Sequence, residues 1–152
     1  MIEITKELIK QRFEEYNKAY FNNELPKCKV SVYNTKWELG LYVRDWIRIA
    51  RKPKNISATA VWTEELFKGT LIHEMVHHYV VAVKGKRSIF FPHGLRFRRK
   101  CWELKRKYNI DIEIGIFIKR YAVLRRQDTL TLLNRVELVY LRFFNYLLSW
   151  VF

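Results

Sequence analysis

His73-Glu74-Met75-Val76-His77 is the stretch on which the reading of this chain turns. Residues four apart on a helix share a face, so His73 and His77 can grip one ion from the same side. Glu74 then flanks the position that a catalytic zinc leaves open, where a carboxylate can take a proton from water. The bland alternative is two surface histidines on an ordinary helix. What lies around the motif decides between them.

Working outward, Thr63 caps a long helix with Glu64 and Glu65 in its first turn, where the helix dipole favours acids. That helix carries the HExxH and is predicted to end near Lys84-Gly85. Upstream, Thr5 caps a first helix with Ile9, Phe13, Tyr16 and Tyr20 at helical spacing, stopped by Asn22-Asn23-Glu24-Leu25-Pro26. Three strand candidates follow at Lys29 to Tyr33, Leu39 to Val43 and Trp46 to Ala50. Downstream, a loop from Lys86 to Pro92 leads to a helix from about His93 to Tyr108, with Phe97, Cys101, Leu104 and Tyr108 as its apolar stripe. Asn109 is its expected cap, and Ile110 to Ile114 alternates like a short strand. The fold class is α+β: a small mixed or antiparallel sheet packed with helices, a minimal zincin-like core.

Three protein ligands plus water complete a catalytic zinc. Between Met75 and Trp102 there is no Asp or Glu, which leaves His78, His93 and Cys101. His78 is turned roughly 100° from His77 on the helix and reads as a packing or surface residue. Cys101 falls on the apolar stripe and reads as core. His93, between Pro92 and Gly94, can swing back from a tight turn. Glu103 is the competing third ligand, disfavoured because Arg99, Lys100 and Lys107 explain it as a surface ion pair.

The 152 residues suit one domain plus an extension, and nearly half are apolar, which excludes disorder. Cys28 and Cys101 form no CxxC pair, so a four-cysteine ribbon is excluded. The charged N-terminus, Met1 to Glu7, is no signal peptide, and a cytoplasmic location is expected. A net charge of +14 suggests a polyanionic partner, either nucleic acid or an anionic membrane surface, or else a solvated face that serves solubility. From Lys84 to Tyr108 ten Lys or Arg face the single acid Glu103, and a second run holds Arg44, Arg48, Arg51, Lys52 and Lys54 against Asp45. Lys86, Arg87, Arg96, Arg99 and Lys100 are the expected DNA-contacting residues, and single-stranded character in the DNA is favoured. Trp37, Trp46 and Trp62 could stack on bases, although burial is the expectation for most of them. Tyr33, Tyr42 and Tyr79 are available as oxyanion donors, with nothing to choose between them.

Phe21-Asn22-Asn23-Glu24-Leu25-Pro26, Leu39-Gly40-Leu41-Tyr42, Thr70 to His77 and His93-Gly94-Leu95-Arg96-Phe97 together resemble the SprT-like family, which includes the Spartan proteases that degrade DNA–protein crosslinks. The resemblance covers roughly Thr5 to Ile114. It implies a zinc endopeptidase with Glu74 catalytic, His73, His77 and His93 as ligands of one Zn2+, and substrates that are proteins bound or crosslinked to DNA. Many members carry a cysteine zinc ribbon that this chain cannot build. The rival classes are a non-catalytic nucleic-acid-binding module with structural zinc, and a metallopeptidase with no DNA role.

The expected domain is residues 1–114. The extension, 115–152, carries an apolar helical pattern from Leu130 to Phe152 and is expected to pack on the domain, with self-association or a membrane surface as alternatives. Glu137, Arg142 and Asn145 argue against a membrane span.

Overall fold

The computed structural model describes residues 1–53, 56, 60–85, 92–110 and 112. The expected extension over 115–152 and its domain boundary, the loop positions Lys86 and Arg87, and most of the strand expected at Ile110 to Ile114 lie outside those residues. Ile110 and Ile112 themselves are buried and belong to no strand. No described helix is long and apolar enough to cross a membrane.

Helix α1 (Lys6–Tyr20) starts where the Thr5 hydroxyl accepts the Leu8 N–H at 3.1 Å, which satisfies one orphan donor of the first turn. It buries Ile9, Phe13 and Tyr16 together with the polar Asn17. Asn22 and Asn23 then take positive φ angles of 53° and 58° and reverse the chain. Asparagine tolerates that region because its short amide bonds locally. Asn17 holds the reversal shut: its amide donates to the Leu25 carbonyl at 3.0 Å and accepts the Leu25 N–H at 3.1 Å.

Strands β1 (Lys29–Tyr33), β2 (Gly40–Val43) and β3 (Trp46–Ala50) form one sheet in the order β1-β3-β2. β3 runs parallel to β1 and antiparallel to β2, so the sheet is mixed. The β2–β3 connection is two residues, Arg44 and Asp45, with φ of 47° and 63°. Two successive positive φ angles are the mark of a type I′ hairpin, whose twist suits paired strands. Val30, Ile47 and Ile49 are buried within the core.

Helix α2 (Glu64–His78) begins with Thr63 accepting the Leu66 N–H at 3.2 Å. Phe67, Leu71, Ile72, Met75 and Val76 are all inaccessible to solvent, so this helix is the centre of the core. It continues through a π-helical turn, Tyr79–Val83, before Lys84 and Gly85, whose φ of +62° ends it as expected. Helix α3 (Leu95–Tyr108) starts two residues later than predicted because Gly94 is extended, which leaves His93 outside the helix. Asn109 caps it in the left-handed conformation at φ 54°.

The tryptophans depart from expectation. Trp62 is buried and donates its indole N–H to the Ala50 carbonyl at 3.0 Å, but Trp37 and Trp46 are 74% and 39% exposed. Trp37 precedes β2 in a loop, and Trp46 faces outward at the start of β3 with the Lys29 ammonium 5.5 Å from its ring centroid.

The Asn17 clamp can be tested directly. Asn17→Ala leaves both Leu25 backbone groups buried without their partner, and is expected to cost about 1–3 kcal/mol, read as a lowered urea midpoint.

Candidate metal centre

His73 and His77 leave α2 on one face, and the turn before α3 brings His93 to meet them. The three Nε2 atoms lie 3.0 Å (His73–His93), 3.2 Å (His73–His77) and 3.2 Å (His77–His93) apart. An imidazole nitrogen carries either one hydrogen or one lone pair in the ring plane. Three nitrogens in mutual contact therefore cannot all satisfy one another by hydrogen bonding, whereas one shared cation accepts all three lone pairs. Nitrogens about 2.0–2.1 Å from a zinc ion in tetrahedral directions lie roughly 3.3–3.4 Å apart, within a few tenths of an ångström of this triangle. The residues present fit a metal ion. Among the described residues they are the one such cluster of His, Cys, Asp or Glu, and each is only partly buried.

Phe97 organises the triangle from behind. It is buried on α3, and its ring centroid lies 5.0 Å from that of His73, 4.4 Å from His77 and 4.7 Å from His93. One apolar ring thus contacts all three imidazoles and ties α3 to α2. The Arg98 guanidinium donates to the His93 carbonyl at 3.2 Å, fixing the turn that presents the third histidine. Burial, followed by the neighbouring His73 and His93, draws the His77 imidazole down from 6.5 to about 3. Burial and then Arg98 lower His93 as well. Both rings are therefore held neutral, the form that ligates a metal.

Glu74 packs against β2. It is 5% exposed, and the backbone of Tyr42 hydrogen-bonds to its carboxylate. Gly40 makes room for it: a Cβ there would sit 2.7 Å from Glu74 Oε1 and 2.9 Å from its Cγ. Burial first, and the nearby Glu38 second, push the Glu74 carboxyl up from 4.5 to about 8. A general base works best when its pKa lies near the working pH.

Tyr42 reaches four neighbours. Besides its backbone contact with Glu74, its ring lies within 6° of parallel to that of His77, with centroids 6.4 Å apart. Its hydroxyl lies 2.9 Å from Asp45 Oδ1 and 3.2 Å from His78 Nδ1, while His78 Nε2 donates to the Pro26 carbonyl at 2.9 Å. His78 is thus a buried packing residue. Tyr33 ends at a buried hydroxyl whose ionisation is suppressed by burial and then by Glu38.

The other sequence-derived candidates divide. Glu103 stays out of the cluster, 3.0 Å from the Lys100 ammonium and 3.5 Å from that of Lys107. Cys101 is core, its thiol pushed up to about 12 by burial. Arg96 and Arg99 are exposed on α3. Lys100, expected among the DNA contacts, turns inward: it is 6% exposed, with its ammonium 4.5 Å from the Tyr79 ring centroid and 5.3 Å from that of Phe21. Its charge is engaged inside the fold. Sequence reasoning missed the roles of Phe97, Tyr42, Gly40 and Glu38. The Leu39-Gly40-Leu41-Tyr42 pattern was the available signal for two of them.

The SprT-like family profile matches residues 9–115 of the chain. The chain belongs to the SprT-like family. No curated protein matches it. The matched span of this SprT-like chain contains every residue of the histidine triangle together with Glu74, Tyr42 and Phe97.

Two outcomes follow from the Glu74 environment. Gly40→Ala is expected to displace the carboxylate and destabilise the protein by about 1–3 kcal/mol. Adding Glu74→Ala is expected to return part of that loss in urea denaturation, because the two closest contacts are then gone while Thr70 Cγ2, at 3.0 Å, remains. The second outcome concerns pH. In the metal-free protein Glu74 binds a proton between 4.5 and about 8 that the unfolded chain releases. Its contribution is therefore fully present below 4.5 and is lost as pH rises through about 8. Urea midpoints of metal-free wild type should fall, relative to Glu74→Gln, between about pH 5 and pH 8.5.

Proposed function

We propose that this protein is a zinc-dependent endopeptidase of the SprT-like type, acting on proteins bound or crosslinked to DNA. The observation that carries the reading is the triangle of three Nε2 atoms within 3.2 Å of one another, two of them from a helix on which the residue after His73 is a buried glutamate. An all-nitrogen, three-histidine set with a partly open face is the donor chemistry of catalytic zinc. A structural site would close its fourth position with a further protein ligand, and it gains nothing from a buried carboxylate beside it.

When bound, zinc supplies Lewis acidity toward water and toward the scissile carbonyl. The protein's own part falls to Glu74, whose carboxylate takes the proton of the attacking water and returns it to the leaving amine. Tyr42 and Gly40 hold that carboxylate on the β2 side, so it is already desolvated and oriented before substrate arrives. Phe97 holds the three imidazoles apart from bulk solvent on one side. The DNA part of the reading is supported by the net charge of +14 and by the resemblance to proteases of DNA-bound protein.

Elemental analysis and casein cleavage on wild type, His77→Ala, His93→Ala and Glu74→Gln test it. One zinc per chain is expected in wild type and Glu74→Gln, with little in either histidine variant. Cleavage by Glu74→Gln is expected to fall by roughly 10²–10⁴-fold. Zinc retained in His93→Ala, or cleavage retained in Glu74→Gln, would overturn the assignment.

A further inference from the structure

The solvent face of α3 carries a pattern that the peptidase site does not use. Leu95, Arg99, Trp102 and Arg106 recur at intervals of four, three and four, which places them within about 60° of one another around the helix. All four are exposed, with Leu95 at 53% and the Trp102 indole at 57%. The stripe lies opposite the buried Phe97, Cys101 and Leu104. Neither Arg99 nor Arg106 is in an ion pair among the described residues. The single acid of the helix, Glu103, sits off the stripe and is engaged by Lys100 and Lys107.

A flat apolar ring between two guanidiniums, on a helix with seven basic residues and one acid, has a specific complement. It suits a ligand that offers a π face and a phosphate on either side of it, which describes an unpaired nucleotide strand. A duplex presents phosphates but no free base faces, so it engages the arginines and leaves the indole without a partner. A membrane surface needs a broad apolar face, and here the apolar side chains of the stripe are Leu95 and Trp102 alone.

We infer that the Leu95–Arg99–Trp102–Arg106 face of α3 binds single-stranded nucleic acid, with Trp102 stacking on a base and Arg99 and Arg106 holding the flanking phosphates. This rests on the DNA-directed reading above and gives it a surface. The two guanidiniums are seven residues apart, about 10.5 Å along the helix axis, so the footprint on this face is short. The same helix begins immediately after His93-Gly94, so a strand lying along it runs from the metal centre outward.

The test uses the full zinc-loaded chain and a fluorescein-labelled 15-mer of deoxythymidine, read by fluorescence anisotropy over a salt series. Trp102→Ala is expected to weaken binding roughly 5- to 150-fold, with Trp102→Phe retaining most of the affinity. Arg99→Ala and Arg106→Ala should each flatten the slope of log affinity against log salt by about 0.7. A Trp102→Ala protein that binds the 15-mer as wild type does, or a duplex competing equally with the single strand, would overturn the inference. So would a Trp102→Ala variant altered only in sedimentation, which would mark the face as a contact between copies. Casein cleavage, measured in parallel, separates the two readings. Wild type that cleaves but does not bind the 15-mer loses this surface and keeps the peptidase. Wild type that binds through Trp102 but does not cleave does the reverse.

Discussion

The rotation of α2 about its own axis is the constraint on which the rest depends. His73 and His77 must face α3 and the turn before it, while Glu74, one residue on, must face β2. Both directions are inside the protein, and a helix with polar groups on two buried sides is costly unless each group finds a partner. The partners come from three separate segments. The Tyr42 backbone receives Glu74, and the Pro26 carbonyl and Tyr42 hydroxyl receive His78. Phe97 covers the imidazoles. Phe67, Leu71 and Met75, all inaccessible, then leave the helix no alternative rotation that keeps its apolar side buried.

The electrostatics are divided in the same way. A chain with an excess of 14 positive charges keeps two carboxylates, Glu38 and Glu74, close enough that one raises the other's proton affinity. Positive charge is gathered on α3, and even there one lysine is withdrawn: Lys100 sits between aromatic rings and Glu103. The fold thus separates a buried carboxylate held against β2 from a cationic surface carried by α3, with the histidine triangle between α2 and the turn before α3.

Much of this architecture was legible because it is local. Thr5 and Thr63 cap α1 and α2 through their own side chains, and Asn109 ends α3, so those boundaries are written in single residues. His93 was reached as a third ligand by elimination, and its Nε2 does converge on the other two. What stayed hidden depends on pairing across the chain. Nothing in Lys29 to Tyr33 says that it runs parallel to β3 with β2 on the far side. The hairpin at Arg44-Asp45 lacks the glycine or asparagine that announces a type I′ turn, and Asp45 is instead held by the Tyr42 hydroxyl and the Lys29 N–H. The inward turn of Lys100 and the exposure of Trp37 and Trp46 are likewise set by neighbours distant in sequence. Phe97 could be placed on an apolar stripe, but its contact with all three imidazoles exists only once two helices have met.

The π-helical turn at Tyr79–Val83 bears on how the spacing of the histidines can vary among chains of this design. A π turn accommodates one residue more per hydrogen-bonded ring than an α turn. Deleting a residue within it restores α geometry while leaving the residues downstream facing nearly the same way relative to His77, because the wider turn had absorbed the extra residue. The number of residues between the second and third histidines is accordingly set in part by the helix itself. A residue gained or lost between them can be taken up by the winding of the helix, with the segment after Gly85 keeping its length.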